Sequence, residues 1–93
     1  MNKYKVRLSD DDKRVKKLYH LCFNDDSISL ERVLKSKIVI AYTDMELVMF
    51  GADGENTAVI SEKNGHKLKI ELTDSRQAMM NSFVSRNVRV AVV

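Results

Sequence analysis

The chain has 93 residues and 10.7 kDa, with 44% hydrophobic and 31% charged side chains, the balance of one soluble domain across residues 1–93. Proline is absent and glycine occurs only at Gly51, Gly54 and Gly65, which excludes collagen-like, linker-like and loop-dominated chains. The lone Cys22 excludes an intramolecular disulfide framework, and a formal charge of +3 falls well short of a histone-like tail.

Tyr4-Lys5-Val6-Arg7-Leu8 alternates apolar and basic residues, the pattern of a half-buried strand. Ser9 followed by Asp10-Asp11-Asp12 reads as a helix start, a capping oxygen with carboxylates at the positive end of the dipole. Val15, Leu18, Tyr19, Cys22 and Phe23 then follow helical spacing. Asn24-Asp25-Asp26 breaks this helix, and Ser27 or Ser29 starts a second one with Leu30, Val33 and Leu34 inward, ending near residues 35–37. Ile38-Val39-Ile40-Ala41-Tyr42 is a continuous apolar run suited to a central strand covered on both faces. Met45 to Phe50 continues as a strand after a turn at Thr43-Asp44, and residues 51–56 form a loop.

Residues 57–63 and 66–72 flank Asn64-Gly65, the signature of a β-hairpin closed by a type I′ turn. Thr73-Asp74-Ser75 caps a third helix whose apolar face is Ala78, Met79, Met80, Phe83 and Val84. Asn87 stops it in the left-handed conformation, and residues 88–93 form a last strand with Val88, Val90 and Val92 inward. The expected fold is therefore α+β, order βααββββαβ: two layers, a largely antiparallel sheet of up to six strands, and three helices.

Chemistry-bearing motifs are missing. Gly51-Ala-Asp-Gly54 lacks the lysine, hydroxyl and helix of a phosphate loop. On a helix, His20 and Cys22 would point about 200° apart, too far for a thiolate–imidazolium pair. His20, Cys22 and His66 do not have zinc spacing, and His66 reads as a turn residue. Asp10–Asp12 and Asp25-Asp26 lack the alternating oxygens, glycine and terminal glutamate of a calcium loop, and Asp53-Gly-Glu55-Asn56 is a short fragment of such spacing without the rest. The reading is a non-enzyme without metal or cofactor.

Charge offers more. Residues 1–37 hold ten Lys/Arg against six Asp/Glu, net +4, while residues 38–93 hold six against seven, net −1. On the expected first helix, Lys13, Lys16, Lys17 and His20 form a basic ridge at i, i+3, i+4, i+7, which Lys3, Lys5 and Arg7 of the preceding strand extend. A second surface is the outer side of the last strand, Arg89, Ala91 and Val93, open to strand addition or homodimerisation if it lies at a sheet edge. No apolar run is long enough to span a bilayer and residues 1–6 carry no apolar leader, so the cytoplasm is the expected compartment. The expected function is stoichiometric binding of a protein partner, in the manner of small phage or mobile-element inhibitors of host nucleic-acid-handling machinery. The alternative is direct nucleic-acid binding through the basic helix face, where phosphate contacts supply affinity.

Overall fold

A computed structural model describes residues 3–9, 16–34, 36–74 and 76–93. Among these residues lie eight strands, one α-helix and a 3-10 turn (Tyr42–Asp44): β1 (Lys3–Ser9), β2 (Lys16–Phe23), β3 (Ser27–Glu31), β4 (Ile38–Ala41), β5 (Met45–Phe50), β6 (Thr57–Glu62), β7 (Lys67–Leu72), α1 (Arg76–Val84) and β8 (Val90–Val92). All eight strands belong to one sheet, ordered β4-β3-β2-β1-β7-β6-β5-β8. Neighbours run antiparallel except β5 and β8, which are parallel. This overturns the α+β fold of three helices on a six-stranded sheet: residues 16–23 and 27–31, expected in two N-terminal helices, are strands, and the described residues are strand-rich with a single α-helix, while the expected helix start at residues 10–15 lies outside them.

The correction has a local cause. Residues 18–23 (Leu-Tyr-His-Leu-Cys-Phe) satisfy helical spacing and period-2 alternation alike. In the fold the alternation wins: Leu21 and Phe23 enter the core, and Tyr19 packs partly against it, while Leu18 stays 47% exposed. Ile28 and Leu30 likewise alternate inward from β3, so the expected second helix is a strand followed by a turn. Ser29, read as a helix start, is instead buried, accepting from Asn24 Nδ2 and donating to Glu31 Oε2.

Within the core, strands β1 to β7 all contribute, and α1 plugs the assembly with Met79 and Phe83. Phe83 makes edge contacts to Phe23 (centroids 4.8 Å apart) and to Phe50 (6.3 Å), tying the two halves of the curved sheet together. The helix ends as its sequence dictates. Asn87 takes φ +62°, its N–H reaches the carbonyl of Val84, and the Val88 N–H reaches that of Phe83. That is a Schellman closure, with the buried Val88 as its apolar contact.

Two smaller expectations are corrected. The β6–β7 hairpin turns at Asn64-Gly65, but only Gly65 has positive φ (+92°), and the Gly65 N–H bonds the Glu62 carbonyl. This is a type I turn with a glycine bulge, which needs one left-handed residue where type I′ needs two. Thr73 and Asp74, expected with Ser75 to cap α1, bond to β1. The Thr73 hydroxyl donates to the Lys5 carbonyl, and the Asp74 carboxylate accepts from the Lys5 N–H, prolonging the β1–β7 seam with side chains. Ser75 lies outside the described residues. Ile38–Ala41 is not a covered central strand but an edge of the sheet.

Candidate functional site

The basic residues singled out above are redistributed by the β-structure. Along β1, Val6 and Leu8 are buried and Tyr4 packs on the core, so alternation turns Lys3, Lys5 and Arg7 outward. In the β1–β2 ladder Lys5 faces His20, Arg7 faces Leu18 and Lys3 faces Cys22. Lys16 shares the outward side of β2, being an even number of residues from His20. Four cations and a histidine thus share one face: Lys3, Lys5, Arg7, Lys16 and His20. Lys17 does not join them. It pairs with the buried Leu8 and sits on the opposite side, because a step of one residue reverses the face of a strand. Lys13 lies outside the described residues.

Two carboxylates flank this face. Glu71 on β7 bonds Lys16, and Arg7 Nη1 at 3.4 Å, and these cations hold its carboxyl below the usual range, Lys16 foremost. Glu31 on β3 faces His20. Its carboxyl is held low by hydrogen bonds from the Cys22 thiol and Ser29 and by the nearby charges of Lys37 and Lys3. Among the described residues neither Lys3 nor Lys5 is in an ion pair, although Lys3 acts on Glu31 through space. Lys69 of β7 adds a cation paired with Asp53. The sequence reading omitted it, although the alternation of Lys67-Leu68-Lys69-Ile70 marks it as outward.

The clefts on this face are shallow and charged. One of about 250 Å³ is lined by Lys3, His20, Glu31, Arg32 and Val33, another of about 120 Å³ by Arg7, Lys16, Asp53, Thr57, Lys69 and Glu71. Neither has the mostly apolar concavity of a small-molecule pocket.

Cys22 is half-buried on this outward face, not on an apolar helical stripe. On a strand it shares a side with His20, so the angular argument against a pair lapses. Its thiol engages Glu31 instead of the imidazole. Burial, and then the Glu31 carboxylate, push the thiol's pKa up, so it stays protonated at neutral pH. His66 sits in the hairpin turn, with Nδ1 2.6 Å from Glu62 Oε2 and its N–H on Asn64 Oδ1. Among the described residues no three His, Cys, Asp or Glu side chains converge as a metal ligand set. No helix among them is long and apolar enough to cross a membrane.

The C-terminal strand lies at the edge opposite β4. The Arg89 carbonyl accepts from the Val48 N–H, and the Val93 N–H donates to the Phe50 carbonyl, so these two backbones serve β5. Alternation then leaves the backbone groups of Val90 and Val92 on the open side. Val88 is buried, Val90 packs against the core, and Val92, expected inward, is half exposed.

No protein-family model matches the chain, and no curated protein does. Solved structures do. The chain is similar to the C-terminal domain of an unknown protein from Leishmania infantum, with TM-score 0.76 and 10% identity, over 92% of this chain and 81% of that one. It is also similar to Vav1 in a structure with an allosteric inhibitor, TM-score 0.64 and 11% identity, over 90% of this chain but 25% of that one. At such identities the likeness is one of fold alone.

Proposed function

We propose that this domain is a non-catalytic binding module that holds a protein partner stoichiometrically in the cytoplasm, docking an acidic surface of that partner on the outward face of β1 and β2. The observation that carries this reading is the convergence of Lys3, Lys5, Arg7, Lys16 and His20 on one side of two paired strands. Opposite charge there steers encounter and fixes register, and the exposed Leu18 in its midst supplies an apolar anchor. Lys3 and Lys5 meet the partner outside the ion pairs of the described residues, whereas Arg7 and Lys16 exchange part of their bond with Glu71.

A nucleic acid on the same face is the second reading, favoured by the same cations. The aromatic rings weigh against it: Phe23, Phe50 and Phe83 are buried and Tyr4, Tyr19 and Tyr42 pack against the core, leaving no stacking platform.

The test is cross-linking and affinity capture from the native cell with the wild type and with Lys3→Glu/Lys5→Glu/Lys16→Glu, alongside gel shifts of the purified protein on naked DNA and RNA. One discrete protein retained by the wild type and lost by the variant is the expected result. A partner retained equally by both overturns it. A steep salt-dependent shift with naked nucleic acid assigns the face to the second reading.

A further inference from the structure

We infer that two copies of this domain pair through β4, antiparallel about a two-fold axis, joining the two sheets into one. This surface is separated from the basic face by β3, so the inference stands independently of the proposed function.

The backbone comes first. The Tyr42 N–H donates to the Asp26 carbonyl at 3.0 Å, and the β3–β4 register continues this pairing through Ile28↔Ile40 and Leu30↔Ile38. In an antiparallel ladder hydrogen-bonded pairs alternate, so the N–H and C=O groups of Val39 and Ala41 point away from β3 into the open edge. Edge strands are ordinarily blunted by lysine, proline or a bulge. Ile38-Val39-Ile40-Ala41 has none of these: its register is regular, and Val39 is 58% exposed. Val33 and Leu34 of the adjoining turn are more exposed still, Leu34 at 97%.

Charge selects the occupant. The strand begins beside Arg32, Lys37 and the single carboxylate of Glu31, a net positive end, and finishes beside Asp26 and Asp44. A second copy laid antiparallel, with Val39 opposite Ala41 of the partner subunit, sets Ile40 against its own symmetry mate. Beyond the paired residues, Lys37 then lies toward the 3-10 turn Tyr42–Asp44 that follows β4 in the other copy, the turn that carries Asp44. Both basic ends thereby meet acidic ends. An exclusively acidic or basic foreign strand would satisfy one end and repel the other. Pairing β4 on β8 is also poorer. The segment entering β8 brings Arg89 and no carboxylate, and a head-to-tail contact of unlike edges propagates instead of closing.

Sedimentation velocity across micromolar to millimolar concentrations tests this directly. A reversible monomer–dimer equilibrium is expected. Val39→Lys, at an exposed position the folded monomer tolerates, should weaken it at least about tenfold. Circular dichroism confirms that this variant folds. Lys37→Glu and Asp44→Lys should each weaken association, and the double swap Lys37→Glu/Asp44→Lys should restore it, an outcome that self-pairing alone gives and that needs no change at β4 itself. A chain monomeric throughout overturns the inference. So does a dimer indifferent to Val39→Lys and to the charge swaps, including one lost on Val92→Lys, which would place the contact at β8.

Discussion

Replacing Phe83 by alanine removes the ring through which α1 holds the sheet. Phe83 is fully buried and stands between Phe23 and Phe50, 4.8 Å and 6.3 Å away by centroid. Truncating such a ring costs about 3–5 kcal/mol, and two edge contacts place this one toward the upper end. A domain of 93 residues has a total stability of about 5–14 kcal/mol, so the loss takes a large share of it. In a chain of this size a loss of about 4 kcal/mol corresponds to a fall in Tm of roughly 15–30 °C. The control is the neighbouring position. Val84 is on the same helix but 58% exposed, and Val84→Ala should change stability by less than about 0.5 kcal/mol. Thermal melts and urea titrations followed by circular dichroism measure both. Equal losses in the two variants would refute the role assigned to the helix.

Three further predictions rest on backbone and charge. Gly65→Ala meets no atom within 4 Å yet must hold φ near +92°, so it should cost about 1 kcal/mol with the hairpin contacts intact, while Leu34→Gly, relieving a leucine at φ +62°, should gain a similar amount; urea midpoints read both. Glu71, held below its ordinary 4.5 first by Lys16 and then by Arg7, contributes stability that is present above that value and lost as pH falls through the depressed one. Glu71→Gln should therefore flatten the acid limb of a stability–pH curve, and a curve that does not change shape would remove Glu71 as its source. The Cys22 thiol, raised by burial and Glu31, should be alkylated at neutral pH more slowly than an unhindered cysteine, and Glu31→Gln should bring its titration midpoint down.

Alternation carried the sequence reading where strands were half-buried. The strands around Val6, around Val48, and on either side of Gly65 stand where the pattern puts them, and Asn87 ends the C-terminal helix in the left-handed turn expected of it. Residues 16–31 failed for a physical reason: a segment with five apolar residues among positions 18–23 fits both periods, and serine before an apolar residue suits a helix cap and a strand equally. Of the basic residues, His20 remained with Lys16 because a four-residue step returns to one face on a helix and on a strand alike, whereas Lys17, one residue on, changed sides. The edge position of β4 was not legible. A β-branched run reads as buried on both faces, and only the topology reveals an uncovered flank.

The order of strands also decides how the chain must assemble. The first four strands form one meander and β5 to β7 another, each closed by neighbours in sequence, so both can organise early. Among the described residues one non-local ladder joins them, Val6↔Leu72, Arg7↔Glu71 and Leu8↔Ile70, lengthened by Thr73 and Asp74 on Lys5. Closing a loop of more than sixty residues across so few rungs is the entropically expensive event of folding. Weakening this narrow zip, which joins segments far apart along the chain, should therefore slow folding more than a comparable loss within either meander, and residues 3–41 without the rest would leave the flank of β1 waiting for its mate.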